Sequence, residues 1–297
     1  MLKIYLMPLS LLLIALAAIT WGTTGTTLVL LNQTVTMNPL AVGFWRIALA
    51  SPCLLLLAHR TRPLGYQSTA WKAHVGMGAC IAAYQICYFA AVPLAGVAVT
   101  ALVAICSSPL LIALLAAWHL GEQLTPRLYG SLGLGVVGTL LLVVRPDAIA
   151  AESSFLLGVL LAFGAALAYA GYAVMAKVQA GAMPPVQSAA YGFTAAAILL
   201  LPALIWQPPL ADWMRALPFL LYLGMVTTAA AYAIYMIGIQ RISATAAGIT
   251  VLLEPLTATL IGVLFFREAM PLFSIVGAGL LLSAIALLAL PQSGQRR

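Results

Sequence analysis

Two charged side chains, Arg46 and Glu254, stand near the middle of long apolar runs, and neither recurs in the other half of the chain. An ionised group so placed costs about 2.5–3.5 kcal/mol on membrane-insertion scales, so neither is expected to face lipid. A guanidinium is suited to a carboxylate and a carboxylate to an ammonium, so the two together have the chemistry to hold a zwitterion. Other arrangements of the same residues are open: a structural ion pair between them, or separate satisfaction by carbonyls, hydroxyls and water. Glu254 could also carry a proton.

Aromatic and hydroxyl residues recur at helical spacing elsewhere. Tyr84 and Tyr88 are four apart and Tyr169 and Tyr172 three apart; Thr228, Tyr232 and Tyr235 follow one face, as do Ser188 and Tyr191, and Thr250, Glu254 and Thr257 form one stripe. Trp21 sits among Thr20, Thr23, Thr24 and Thr27. If these faces converge they line one cavity, where rings accept an apolar group or a cation. Taken singly, each hydroxyl could instead bond its own helix, and each ring could fill the core. Trp45, Trp71, Trp118, Trp206 and Trp213 fall near the ends of apolar runs and read as interfacial anchors.

Other chemistries lack their apparatus. The sequence contains no Gly-rich phosphate loop, no His-Glu-x-x-His and no Gly-x-Ser-x-Gly, so neither ATP-driven nor enzymatic work is expected, and no catalytic residue is assigned. Cys53, Cys80, Cys87 and Cys106 lie inside apolar runs without ligand spacing, which predicts free thiols and no metal site or cofactor.

The elements that must position these residues are membrane spans. Of 297 residues, 64% are hydrophobic and 6% charged, and the mean hydropathy is +1.10, which places the chain among all-α integral membrane proteins. Ten apolar stretches lie near 8–31, 38–58, 71–92, 95–118, 126–144, 155–177, 184–205, 214–235, 244–265 and 270–290. With the amino terminus inside, Lys3, Arg60, Arg62, Lys72, Arg127, Lys177, Arg241, Arg296 and Arg297 share the cytoplasmic face, against Arg145, Arg215 and Arg267 opposite. Lys3 with the small residues Ala15 and Ala17 could be read as a cleavable leader. The apolar run continues to Leu31, however, and removing it would leave nine spans with Arg296 and Arg297 outside. The net charge of +7 then reflects this bias and attraction to anionic lipid, not nucleic-acid binding.

An offset of 146 residues recurs: Met37 and Pro39 match Met183 and Pro185, Pro109 matches Pro255, Leu114 matches Leu260, Glu122 matches Glu268, and Gly133 matches Gly279. Two copies, 1–147 and 148–297, each hold five spans, an odd number, so the second copy is expected to enter the bilayer inverted. The offset pairs Arg46 with Gly192 and Glu254 with Ser108, so the charges belong to a function near the axis and not to the shared scaffold. Pro39 and Pro185 suit first helical turns. Pro109 and Pro255 lie inside spans and predict matched kinks, either hinges or rigid bends. Glu122 and Glu268, at span ends, are expected to cap helices or order loops.

Ser108-Pro109-Leu110 running to Gly121-Glu122 and then Gly130, Gly133 and Gly138 resembles the closing helix pair of an EamA unit of the drug/metabolite transporter superfamily. Glu254-Pro255-Leu256 running to Glu268, Gly277 and Gly279 resembles its second copy. Trp21-Gly22 and Phe44-Trp45-Arg46 fit the same family. Size, span count and aromatic content look most like the YddG-type exporters of aromatic and other neutral amino acids. The resemblance implies a ten-helix basket of two inverted five-helix repeats, with helices 1–4 and 6–9 around a central cavity and helices 5 and 10 outside, closely packed through their glycines. It also implies export of a small molecule across the inner membrane. Spacing and midplane charge make Trp21, Arg46, Tyr84, Tyr88, Tyr169, Tyr172, Tyr232 and Glu254 the expected substrate-binding residues, with Pro109 and Pro255 as hinges for alternating access. Transport of another small metabolite or cationic drug fits the same motifs; a non-transporting receptor or scaffold is the alternative of another class. The sequence leaves the oligomeric state open. Tags placed at the two chain ends should both be reached by impermeant reagents from the cytoplasmic side only; labelling of the two ends from opposite sides would overturn the inverted layout.

Overall fold

A computed structural model describes residues 2–61, 71–143, 153–206, 210–267 and 271–289, which contain helices and no strand. Arg62, Arg145, Glu268, Arg296, Arg297 and the boundary between the two copies lie outside the described residues. The helices are α1 (Leu2–Thr34), α2 (Pro39–Thr61), α3 (Trp71–Ala95), α4 (Val97–Leu120), α5 (Pro126–Val143), α6 (Ser153–Ala182), α7 (Pro185–Leu199), α8 (Leu210–Leu221), α9 (Ala231–Gly238), α10 (Ala244–Val251), α11 (Leu253–Phe266) and α12 (Leu272–Ala289). A wide π-type turn, Tyr222–Ala230, joins α8 to α9, and α10 runs into α11 through Leu252, so these pairs form single rods. Among the described residues this makes ten rods, in the order expected. Eight of them are long and apolar enough to cross a membrane; the other two are α5 and α7, the latter extended by the 3-10 turn Leu201–Trp206.

The surface of the bundle is apolar, with Phe265, Leu272 and Leu114 exposed by 78%, 76% and 66%, as hydrocarbon solvation permits. The interior is built largely from small residues, including Ala17, Ala50, Ala58, Ala176, Ala189, Ala196 and Ala247. Without a water-driven gain from burying larger side chains, close backbone approach is what holds such helices together.

Helix contacts repeat under exchange of the two halves. α3 packs on α6 as α9 packs on α1, and α4 packs on α6 as α10 and α11 pack on α1. α2 packs against α7, and α5 against α12. The copies are therefore interleaved, each helix of one finding its main partners in the other. Their relative sense is visible in α5 and α12. Gly130, early in α5, faces Leu287 late in α12, whereas Gly138, late in α5, faces Gly277 early in α12. Arg127 donates from Nε to the Leu287 carbonyl at 2.6 Å and from Nη2 to that of Leu288. At the far end the Ser274 hydroxyl donates to the Leu141 carbonyl at 3.5 Å. Equivalent helices of the two copies run antiparallel, as an inverted repeat requires.

Two expectations need revision. Gly133 and Gly279, the matched pair, meet nothing within 4 Å, so close packing does not explain them. Gly138, in contrast, is tightly enclosed. The two interior prolines are also unequal: α4 continues through Pro109, whereas the equivalent rod breaks at Leu252, whose N–H bonds Ile249 O at 3.2 Å in a tightened turn. The Trp45 ring packs edge-on against Trp213 at 4.6 Å; Trp118, 77% exposed, fits a bilayer-facing position.

A Cβ at Gly138 would lie 2.7 Å from the Gly277 carbonyl oxygen and 2.8 Å from the Leu281 nitrogen. Gly138→Val should therefore lower the melting temperature of the detergent-solubilised protein by several degrees, an overpacking cost of about 1–3 kcal/mol, while Gly133→Ala leaves it unchanged. Equal effects of the two substitutions would count against this packing.

Candidate functional site

Eight side chains from six rods converge on one cavity of about 270 Å³. Trp21 comes from α1, Arg46 from α2, Tyr84 and Tyr88 from α3, Tyr169 and Tyr172 from α6, Tyr232 from α9 and Glu254 from α11. Helical spacing explains why each contribution is a pair or a stripe, because residues three or four apart share a face. α1 can press on α11 because residue 22 is glycine: a Cβ there would stand 2.7 Å from the Glu254 carbonyl oxygen. That contact holds Trp21 and Glu254 on adjoining walls.

The rings form a continuous band. Tyr84 stacks on Tyr88 with centroids 5.6 Å apart and leads to Tyr169 at 6.0 Å, which lies 6.3 Å from Tyr172; Tyr172 meets Tyr232 at 5.7 Å, and Tyr232 meets Trp21 at 4.7 Å. Behind the band, Phe193 and Tyr235 are fully buried and fix Tyr232 and Trp21 in place, at 4.6 Å and 5.5 Å. The Trp21 indole N–H, the Thr24 hydroxyl and the Tyr172 hydroxyl have no hydrogen-bond partner among the described residues. Buried polar groups are ordinarily paired, and these three stand on residues that line the cavity.

Arg46 and Glu254 both line the cavity, and among the described residues no ion pair joins them. Arg46 instead donates from Nε to Thr228 Oγ1 at 3.2 Å. The Thr228 hydroxyl can accept because its own proton goes to the Leu223 carbonyl, 2.7 Å away and five residues back, a span the wide turn provides. Such turns are rare and cluster at functional sites. One hydrogen bond fixes the guanidinium plane and leaves the remaining N–H donors for a ligand.

Several polar stripes do not converge here. Thr20, Thr27, Thr250 and Thr257 each donate to their own helix four residues back. Ser188 points to Met77 Sδ at 3.7 Å, and Tyr191 lies edge-on to His74. Gln85 lines the cavity and escaped the sequence reading. It is 3% exposed, with its amide N–H on the Gly43 carbonyl at 3.3 Å; its only signal is an amide between Tyr84 and Tyr88.

The cavity occupies one half of the bundle, toward the end where α1 and α3 finish and α2 and α4 begin. The other end is tied together by polar bonds between rods. Glu122 accepts from Ala244 N at 2.6 Å and from Thr245 N and Oγ1 at 3.2 and 2.8 Å, so it caps α10 in the opposite repeat instead of the adjacent α5. Lys177 Nζ donates to the Ile239 and Gln240 carbonyls at 2.9 and 3.1 Å, and Gln240 Nε2 to the Ala180 carbonyl at 2.9 Å.

A model of the EamA-like transporter family matches residues 8–144 and again 156–290. The chain belongs to that family. A relative from Bacillus subtilis (strain 168), "Uncharacterized transporter YwfM", is 34% identical over 274 residues, 91% of this chain and 90% of that protein. An "Uncharacterized transporter" of Archaeoglobus fulgidus is 27% identical over 166 residues, 56% of this chain and 58% of that one. A solved crystal structure superposes with a TM-score of 0.78 over 94% of this chain and 95% of the other at 23% identity, a likeness of fold. The protein is thus a multi-pass membrane transporter of EamA fold.

The tied end yields a prediction. Glu122→Ala leaves the first N–H groups of α10 without their carboxylate, a loss of about 1–3 kcal/mol. It should lower the melting temperature of the solubilised protein, and an unchanged value would remove Glu122 from the clasp.

Proposed function

We propose that this transporter exports amino acids, aromatic and other neutral ones, through the central cavity by alternating access, without an enzymatic step and without ATP. The observation that carries the reading is the presence of Arg46 and Glu254 on one cavity wall system without an ion pair between them, joined by a band of rings. Arg46 takes the substrate carboxylate, Glu254 its ammonium, and Trp21, Tyr84, Tyr88, Tyr169, Tyr172 and Tyr232 its side chain. A volume of about 270 Å³ lies just below the usual range of ligand pockets and suits one small metabolite better than a large drug. A cationic substrate would use Glu254 and the rings, but it would have to tolerate Arg46 in the same space.

With the Lys- and Arg-rich ends on the cytoplasmic side, as expected in an inner membrane, the end closed by Glu122, Lys177 and Gln240 is the cytoplasmic gate and the cavity faces outward. The break at Leu252 beside Pro255 is then the place where the ninth rod bends as the gate opens, with Pro109 as the stiffer counterpart in α4.

In proteoliposomes, phenylalanine flux should fall by about tenfold or more in Arg46→Ala and in Glu254→Gln, as expected for loss of a charged contact. Phenethylamine, which lacks the carboxylate, should compete with phenylalanine poorly in the parent protein, and Arg46→Ala should abolish that discrimination. Parent-level flux by both correctly inserted variants would exclude the zwitterion reading.

A further inference from the structure

A second, smaller hollow of about 40 Å³ lies behind Glu254, between α4 and the junction of α10 with α11. It shares Tyr84, Ile105, Tyr169 and Glu254 with the main cavity and adds Ser108, Pro109, Gly248 and Val251. It is too small for an amino acid, although it exceeds the roughly 10–15 Å³ that one water requires.

The backbone around this hollow has been stripped of donors in both repeats. Pro109 has no N–H, so the Ile105 carbonyl, four residues back, lacks its helical donor. Pro255 does the same to the Val251 carbonyl. At the break, the Leu252 N–H turns to the Ile249 and Thr250 carbonyls, so Gly248, also four residues back, loses its donor as well. All three of these residues line the hollow. Ser108 gives its proton to the Ala104 carbonyl at 2.7 Å and turns hydroxyl lone pairs outward from that bond. The Glu254 carboxylate completes an all-oxygen set with one negative charge.

Carbonyls freed by a broken membrane helix, with a carboxylate beside them, are suited to a small hard cation. Glu254 forms no ion pair at contact distance among the described residues, and Arg46 acts on it only through space, which leaves the carboxylate oxygens open to a cation. We propose that this hollow is a binding site for one dehydrated sodium ion, held by Glu254, Ser108 and the Ile105, Gly248 and Val251 carbonyls. The 146-residue offset that pairs Ser108 with Glu254 places the two side chains across the pseudo-twofold axis, where one site can serve both repeats. Because Glu254 also faces the main cavity, sodium behind it and an ammonium in front of it compete for one carboxylate, which couples cation entry to substrate exit. That coupling rests on the amino-acid reading; the ion site does not.

Binding of radioactive sodium to the purified full chain in nanodiscs, at pH 8 without any substrate, tests the site. Saturable binding of about one ion per chain is expected. Glu254→Gln should abolish it, Ser108→Ala should weaken it by about tenfold, and Pro255→Ala, which restores a donor to the Val251 carbonyl, should weaken it while keeping the carboxylate. Each variant is first shown to be monodisperse by size exclusion. Absence of saturable sodium binding to the parent protein, or equal binding by the parent, Ser108→Ala and Pro255→Ala, overturns the proposal. If sodium binds as described and phenylalanine does not displace it, the ion site stands and Glu254 is removed from substrate recognition.

Discussion

Hydrocarbon offers no hydrogen bonds, so every polar group that enters the membrane must find its partner inside the bundle or face an internal cavity. That constraint explains the distribution of polar atoms here. Thr20, Thr27, Thr250 and Thr257 turn back on their own helices, and Arg127 ties α5 to the end of α12. Arg46 and Glu254 can do neither with their full charge, and both are found at the central cavity. The cavity therefore concentrates the polar capacity that the scaffold leaves unmet.

The scaffold itself is symmetric and made of small residues. Interleaving the two copies lets alanine and glycine faces of one repeat meet those of the other: Gly138 lies against Gly277, Gly78 against Ala195, and Gly158 against Ala95. Such contacts are short and carry little interlocking side-chain bulk. Polar bonds join rods at both ends: Glu122 caps α10 and Lys177 holds the end of the α8–α9 rod at one, and Ser274 reaches the Leu141 carbonyl at the other. A few directional bonds are thus placed on a smooth interface.

Much of this was legible in the sequence. Span count and order followed from apolar run length, and the inverted sense followed from an odd number of spans per copy; Arg127 and Ser274 at opposite ends of the α5–α12 pair show that sense directly. Convergence of the aromatic pairs on one cavity followed from spacing, because a helix buries one face and the tyrosines share it. What stayed hidden depends on backbone departures that side-chain periodicity does not encode. The wide turn at Tyr222–Ala230 presents Thr228 to Arg46, yet nothing in its residue types distinguishes it from ordinary helix. Equal prolines at 109 and 255 gave unequal outcomes, since the neighbours of each, not the proline alone, decide whether the chain breaks. Glu122 has the composition of a cap for the adjacent α5 and caps α10 across the interface, a contact made only by tertiary packing.

The inequality of the two repeats at one matched position has a physical consequence. A perfect duplication would place identical groups on both sides of the axis, and two carboxylates facing each other in low dielectric would repel unless one took a proton. Here one side carries Glu254 and the other Ser108, whose hydroxyl already serves its own helix. The asymmetry puts a single carboxylate next to the two prolines, while Arg46, lining the same cavity, supplies the positive charge. A symmetric frame thereby holds one positive and one negative side chain at its central cavity.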